Sequence, residues 1–224
     1  EETPMNGRRL VLIRHGEVDF DARDFTDTAR GHQWDPPLSG KGSEQAALLC
    51  EDLRVMEPPG VLYCSPFVRC LQTAAPFVEV SGLEPIVDER LGEIFVGEWE
   101  GEAFEDILDS DEEVARRFHE REPLWTLAPG GESGPDFRRR IVDAVEDAIA
   151  KTPEGDVFMM VHGGVINAYL MHVLGIGDRD LFFLPENTSV NRVAIDGDRR
   201  TIQFINDVRH LVGPRNPRPG SARA

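Results

Sequence analysis

Short apolar runs alternate with stretches of helical periodicity along most of this 224-residue chain. The apolar runs at residues 10–13, 61–64 and 157–161 are too short for helices, and each is followed within three residues by glycine or serine, which is typical of buried strands. The stretches at residues 39–54 and 133–151 repeat apolar side chains with the spacing of one helix face. This alternation predicts an α/β fold, a three-layer α/β/α sandwich with a mostly parallel central sheet.

Two further features complete the predicted elements. Ser65-Pro66 combines an N-cap residue with a proline at the first helical position, and predicts a helix that begins at Pro66 and continues over residues 67–80. Residues 189–195 and 201–205 flank a Gly-Asp turn and predict an antiparallel pair of strands.

The length of the chain favours a single domain, which we place at residues 8–212. Residues 100–113 hold eight acidic side chains and no basic one, and we interpret them as part of a helical insertion over about residues 100–130. Residues 213–224 are rich in proline and arginine and are predicted to be disordered.

The charge balance excludes several classes of partner. Acidic residues outnumber basic ones by 41 to 24, and the formal net charge is −17. Such a surface repels the phosphodiester backbone and anionic lipid, so we expect no nucleic-acid and no membrane partner. No apolar run reaches the length of a membrane span, and residues 1–9 lack the apolar core of a signal peptide. Three irregularly spaced cysteines are too few for a disulfide framework or a zinc site, so a reduced, cytoplasmic protein is expected.

Basic and histidine side chains follow the predicted strands. Arg14 and His15 come directly after the first strand. Arg69 lies in the first turn of the helix after the second strand, and His162 follows the third. The carboxyl ends of parallel strands share one edge of a sheet, where helix N-termini point free N–H groups. The sequence therefore predicts a local anion site within an acidic protein.

This set of residue types is sufficient for phosphoryl transfer. A histidine can attack phosphorus, and a carboxylic acid can protonate the leaving oxygen. Glu93, in the loop before the acidic insertion, is the candidate acid. Because phosphoryl transfer needs mainly positioning and charge stabilisation, the set requires no metal and no organic cofactor.

Six motifs between residues 10 and 210 match one family in order and spacing. They are Arg14-His15-Gly16-Glu17, the segment 35–42, Tyr63-Cys64-Ser65-Pro66 leading to Arg69, the segment 91–101, the segment 129–133 and His162-Gly163-Gly164. The chain thus resembles the histidine phosphatase superfamily, in its phosphoglycerate mutase-like branch.

The resemblance implies a role for each matched residue. His15 would be the nucleophile that becomes a phosphohistidine. Glu93 would be the general acid for the leaving group and then the base that activates water. The implied phosphate-binding set is Arg14, His15, Arg69, His162 and the backbone N–H of Gly163. No metal and no cofactor is implied.

One position departs from the family pattern. Asp21 stands where members usually carry an asparagine that contacts phosphate, and the loop at residues 18–34 is longer than the pattern. Like charges about 4 Å apart repel by about 4 kcal/mol at an effective dielectric constant of about 20. Either Asp21 points away from the phosphate, or the loop supplies another contact.

We therefore expect a metal-independent phosphatase that hydrolyses a small phosphorylated metabolite, with better activity on monophosphates that have neutral or cationic remainders. The main alternative is a phosphoglycerate mutase-type phosphotransferase, in which Arg116 and Arg117 would hold a substrate carboxylate. The acidic insertion and the short stretch at residues 117–162 favour hydrolysis. A phosphoprotein phosphatase would need an open cleft, and a non-catalytic scaffold would be expected to have lost a core residue. A homodimer is compatible with the sequence, which does not determine the oligomeric state.

Overall fold

A six-stranded mixed sheet forms the centre of the computed structural model, which describes residues 7–56, 58–120, 122–177 and 179–212. The strands are β1 (Arg8–Arg14), β2 (Phe25–Thr28), β3 (Gly31–Trp34), β4 (Val61–Cys64), β5 (Ile86–Val87), β6 (Val157–Val161), β7 (Val190–Asp196) and β8 (Arg199–Asp207). The order in the sheet is β5-β4-β6-β1-β7-β8, whereas β2 and β3 form a separate antiparallel hairpin. The pairs from β5 to β1 are parallel, and β7 and β8 are antiparallel.

Helices cover both faces of the sheet. They are α1 (Gly40–Leu53), α2 (Val68–Ser81), α3 (Phe104–Ser110), α4 (Glu112–Glu120), α5 (Gly134–Lys151) and α6 (Gly163–Leu174). Successive side chains of a strand point to opposite faces, so Leu10 and Leu12 of β1 pack with α5 and α6. Val11 and Ile13 pack with α1 and α2 on the other face. The predicted three-layer sandwich with a mostly parallel sheet is confirmed.

Serine side chains define two of the helix starts, as the sequence predicts. The Ser39 hydroxyl accepts from the N–H of Gly42 at the start of α1. The Ser133 hydroxyl accepts from the N–H of Asp136 at the start of α5. Each bond satisfies one of the N–H groups that a helix end leaves without an intrahelical partner.

The predicted start of α2 is wrong. The helix begins at Val68 rather than at Pro66, and Ser65 does not cap it. The carboxylate of Asp35 accepts from the N–H of Val68 at 2.9 Å instead. The Ser65 hydroxyl is engaged elsewhere, 2.7 Å from Nε2 of His162. A side chain from a distant loop therefore takes the place of the local cap.

Regular structure also occurs in the long 18–34 loop, where the sequence predicts none, and in the acidic insertion, where it predicts helix. The hairpin β2–β3 lies within the long 18–34 loop and was not predicted. The acidic region contains α3 and α4, which enclose a small cluster of Ile107, Val114 and Leu124. Within the described residues no helix has the length and apolarity to cross a bilayer. The predicted disordered tail, 213–224, lies outside the described residues.

Candidate active site

Two neighbouring strands bring the two histidines together. Arg14 at the end of β1 pairs with Val161 at the end of β6, and the N–H of His15 donates to the Val161 carbonyl at 3.0 Å. His162 directly follows β6 and is the N-cap of α6. The rings of His15 and His162 consequently meet edge to face, with centroids 5.3 Å apart.

The ring of His15 is held in one orientation. Its Nδ1 lies 2.8 Å from the carbonyl oxygen of Gly16, and because a carbonyl only accepts, Nδ1 carries the proton and Nε2 keeps its lone pair. Burial, followed by the charges of Arg69 and Arg14, lowers the pKa of His15 well below its ordinary value. The imidazole is therefore neutral at neutral pH, which is the nucleophilic form.

His162 lies beneath His15. Its side chain is fully buried, with Nε2 next to the Ser65 hydroxyl and the ring edge to face with Phe67 at 5.1 Å. Burial is the main cause that lowers the pKa of His162 well below its ordinary value, so this ring is also neutral. The structure places His162 behind His15, not on the wall of the cavity described below.

The two arginines have different partners, and one of them has a buried N–H without a partner among the described residues. Nη1 of Arg69 donates to the carbonyl of Trp34 at 3.2 Å and pairs with Asp35 at 3.3 Å. Nη1 of Arg14 donates to the carbonyl of Pro185 at 2.5 Å, but its buried Nε–H has no partner among the described residues. Buried polar groups are rarely left without a hydrogen bond, so this N–H marks a place for an acceptor that enters the cavity.

Glu93 lies at the N-terminus of α6. One carboxylate oxygen accepts from the N–H of Gly164 at 3.0 Å, and the other accepts from the N–H of Ile94 at 3.0 Å. A Cβ atom at position 164 would lie 2.3 Å from a Glu93 oxygen, so glycine is needed there for the carboxylate to approach the helix. The neighbouring Gly163 lies beside Arg14 at the same helix end. The second glycine of the motif thus serves the position of Glu93.

A largely buried ion pair holds the loop that carries Glu93. Nε and Nη2 of Arg140 donate to the two carboxylate oxygens of Glu132 at 2.9 and 2.6 Å. Nη1 of the same guanidinium donates to the carbonyls of Arg90 and Gly92, just before Glu93. Because Glu132 also donates its own N–H to the carbonyl of Phe95, both sides of the loop are fixed.

The histidine, arginine and glutamate side chains described above, apart from His162 and the ion pair of Arg140 with Glu132, line one end of a cavity of about 610 Å³. The site residues on its wall are Arg14, His15, Arg69, Glu93, Gly163 and Gly164. The remaining wall is largely apolar and includes Val18, Phe20, Trp34, Ile94, Val96, Trp99, Ile107, Trp125, Leu181 and Leu184. Its other acidic side chains are Glu100, Glu102 and Glu186. The arrangement suits a phosphate at the basic end and an apolar group beyond it.

Comparison with known proteins agrees with this geometry. The model of the histidine phosphatase superfamily, branch 1, matches residues 10–208. The chain belongs to this family. A putative phosphoserine phosphatase 2 of Hydrogenobacter thermophilus is 26% identical over 91% of the chain and 97% of the relative. Glucosyl-3-phosphoglycerate phosphatase of Mycobacterium tuberculosis is 34% identical over 73% of the chain and 74% of the relative.

A solved structure has a similar architecture. Bacillus stearothermophilus YhfR superposes with a TM-score of 0.79 at 27% identity, over 91% of the chain and 99% of that protein. The expected enzyme class, a hydrolase of the histidine phosphatase type, is confirmed by the phosphatases among these relatives. Within the described residues no group of three or more His, Cys, Asp or Glu side chains is arranged to hold a metal ion.

The position that departs from the family pattern does not face the phosphate end. Asp21 is exposed, donates its N–H to the Asp19 carboxylate at 3.1 Å, and does not line the cavity. The same loop contributes Phe20 to the cavity wall, and the hairpin contributes Trp34. Of the two readings of Asp21, the structure supports the one in which it points away.

Sequence reasoning did not find the apolar wall of this histidine phosphatase. The wall residues come from four separated segments, so no local spacing relates them. The only local signal was the Gly-x-Trp-Glu-Gly part of the 91–101 motif. Glu100 of that motif accepts from the N–H groups of Val96 and Trp34, at 3.0 and 2.9 Å, and so joins the hairpin to the Glu93 loop.

The ion pair behind Glu93 gives a first prediction. Arg140→Met leaves the largely buried Glu132 carboxylate without its partner, so we expect the free energy of unfolding to fall by about 3–5 kcal/mol. The control is Arg139→Met on the exposed side of α5, where solvent screens the ion pair with Asp136 and its loss should have little effect on stability. Urea unfolding of both variants measures the difference, and similar losses would contradict this account.

Proposed function

We propose that this chain hydrolyses a small phosphomonoester through a phosphohistidine on His15, without a metal ion. The observation that carries the proposal is the orientation of His15. Its Nδ1 is tied to the Gly16 carbonyl, which leaves Nε2 with a lone pair on a side chain that lines the cavity beside Arg14 and Arg69.

The first step transfers the phosphoryl group to the enzyme. Nε2 of His15 attacks phosphorus, the bond between phosphorus and the ester oxygen breaks, and the leaving oxygen takes a proton from the carboxylic acid of Glu93. The guanidinium groups of Arg14 and Arg69 offset the charge on the phosphoryl oxygens. The products are phospho-His15, the free alcohol and a Glu93 carboxylate.

The second step returns the enzyme to its starting state. The Glu93 carboxylate takes a proton from water, and the water oxygen attacks phosphorus. The bond between phosphorus and nitrogen breaks, and Nε2 of His15 regains its lone pair. Inorganic phosphate leaves, and Glu93 is again protonated. In this scheme His162, packed behind His15, orients the nucleophilic ring.

The charges around the cavity favour hydrolysis over the mutase reaction. A phosphoglycerate mutase needs a cation for the substrate carboxylate, and Arg116 and Arg117 are the sequence candidates. In the structure both arginines pair with Glu113, at 2.8 and 2.9 Å, and neither lines the cavity. Among the described residues the cations on the cavity wall are Arg14 and Arg69, at the phosphate end. A scaffold is disfavoured because the reactive side chains share one cavity.

The direct test is phosphate release from p-nitrophenyl phosphate in the presence of EDTA. We expect equal amounts of phosphate and nitrophenol, and no phosphoryl transfer when 3-phosphoglycerate is added as an acceptor. A requirement for a divalent ion would overturn the proposed mechanism. Formation of a bisphosphate from the acceptor would move the assignment to the mutase reaction.

A further inference from the structure

The wall of the cavity is unusual for a site that would bind a small, highly charged metabolite. Beyond the phosphate end it presents three tryptophan rings, Trp34, Trp99 and Trp125, from the hairpin, the Glu93 loop and the acidic insertion. Binding pockets of about 300–1,000 Å³ enclose ligands much larger than a phosphorylated three-carbon acid. The volume of about 610 Å³ therefore leaves space for a bulky group.

Two large apolar side chains stand exposed at this cavity. Phe20 is 69% exposed and Leu184 is 76% exposed, yet both belong to the cavity wall. The Phe20 ring lies near that of Trp34, with centroids 6.1 Å apart. Exposed apolar surface that adjoins a pocket is typical of a ligand-binding surface, because a bound apolar group removes it from water.

The charges that remain on the wall oppose a second anionic group. Glu102 and Glu186 are exposed acidic side chains on the wall, and the arginines of the wall lie at the phosphate end, where Glu186 is near enough to Arg14 for their charges to interact. The Glu100 carboxylate is occupied by two backbone N–H groups and stabilises the loops. A carboxylate on the alcohol part of a substrate would meet like charge there without a cation to pair with.

We propose that the substrates are monophosphate esters of apolar, ring-bearing alcohols that carry no second anionic group, and that Phe20 and Leu184 contact the apolar part. This inference rests on the proposed function, and it adds the chemical class of the leaving alcohol. The apolar wall and the carboxylates of Glu102 and Glu186 together select for the neutral ester and against a phosphate ester with an unpaired carboxylate, such as 3-phosphoglycerate.

The test compares alkyl phosphates whose leaving groups are chemically similar. The probes are 3-phenylpropyl phosphate, n-propyl phosphate, phosphoserine and 3-phosphoglycerate, and the readout is kcat/KM from phosphate release. We expect 3-phenylpropyl phosphate to exceed n-propyl phosphate by about 10- to 100-fold, and to exceed both carboxylated probes by at least as much.

Two substitutions at the cavity mouth make the test specific. Phe20→Ala should lower kcat/KM for the phenylpropyl ester about 10-fold, with a smaller loss for the propyl ester. Leu184→Arg should raise kcat/KM for 3-phosphoglycerate about 10-fold, because it supplies the missing cation. The control is Val55→Ala, at an equally exposed apolar position outside this cavity. This variant should leave kcat/KM unchanged for all four esters.

The experiment distinguishes failure of the proposed substrate class from failure of the proposed phosphatase function. Equal or better kcat/KM for phosphoserine or 3-phosphoglycerate in the wild type, with n-propyl phosphate still hydrolysed, would overturn the substrate class and leave the proposed phosphatase intact. Equal efficiency on the phenylpropyl and propyl esters would overturn the role of the apolar wall. No release from any of the four esters would overturn the proposed function, and this inference with it.

Discussion

His15→Ala is expected to lower kcat for phosphomonoester hydrolysis by at least about 10⁴-fold, because no other group replaces the attacking nitrogen. The cavity and both arginines remain in the variant, so substrate still binds. Phosphate release from p-nitrophenyl phosphate measures the loss. When the substrate is labelled in its phosphoryl group, a rapid quench without acid should trap labelled phosphohistidine on the wild-type chain. The variant should carry no label.

The control for this experiment is His119→Ala. His119 is exposed on α4 and does not line the cavity, so its removal should change kcat by less than about twofold. Retention of more than about one hundredth of the wild-type rate by His15→Ala would rule out a nucleophilic role for this histidine. Label that remains on the His15→Ala chain would point to a different acceptor.

Glu93→Gln is expected to lower kcat/KM by about 10²- to 10⁴-fold for an alkyl phosphate, and far less for p-nitrophenyl phosphate. Glutamine keeps the shape of the side chain and an oxygen for the N–H of Gly164, but it cannot give a proton to the leaving group. Nitrophenolate is stable without that proton. The second step still needs the base, so the nitrophenyl ester should show a burst of nitrophenolate followed by slow turnover.

The matched control is Glu98→Gln, which changes an exposed carboxylate of the same loop that does not line the cavity. Both esters should be hydrolysed by this variant at nearly the wild-type rate. If Glu93→Gln lowers kcat/KM equally for the two esters, a role as the acid is contradicted, and the carboxylate would act only in positioning.

The elements that could be predicted are those whose signals are local. The strands β4 and β6 match the predicted ranges because each is a short apolar run buried between two helical layers, with only Val61 at the start of β4 partly exposed. Ser39 and Ser133 mark helix starts correctly, since a cap bonds to N–H groups only three residues away.

The elements that were missed depend on distant contacts. Ser65-Pro66 has the local pattern of a helix start, yet Ser65 bonds to His162 and Asp35 serves the first N–H of α2. The hairpin β2–β3 combines threonine, aspartate, glycine and histidine without a clear apolar alternation, so its sequence carries no strand signal.

The residues of the candidate site also fall into those with a local sequence signal and those that only folding brings together. Arg14, His15 and His162 were found because they follow strands that end at one sheet edge, and Arg69 because it lies in the first turn after another. The apolar wall could not be found from spacing, since loops far apart in the chain converge only after folding. The burial of His162 behind His15 is likewise a tertiary fact.

Position 164 has a consequence for engineering this enzyme. A glycine in the first turn of a helix is an obvious choice for replacement by alanine, which stabilises helices by about 0.5–1 kcal/mol where space allows. Here the added methyl group would occupy the place of a Glu93 oxygen, at 2.3 Å. If Glu93 acts as proposed, Gly164→Ala would therefore lower activity although it adds no group to the reaction, and a screen that selected only for thermal stability would not detect that loss.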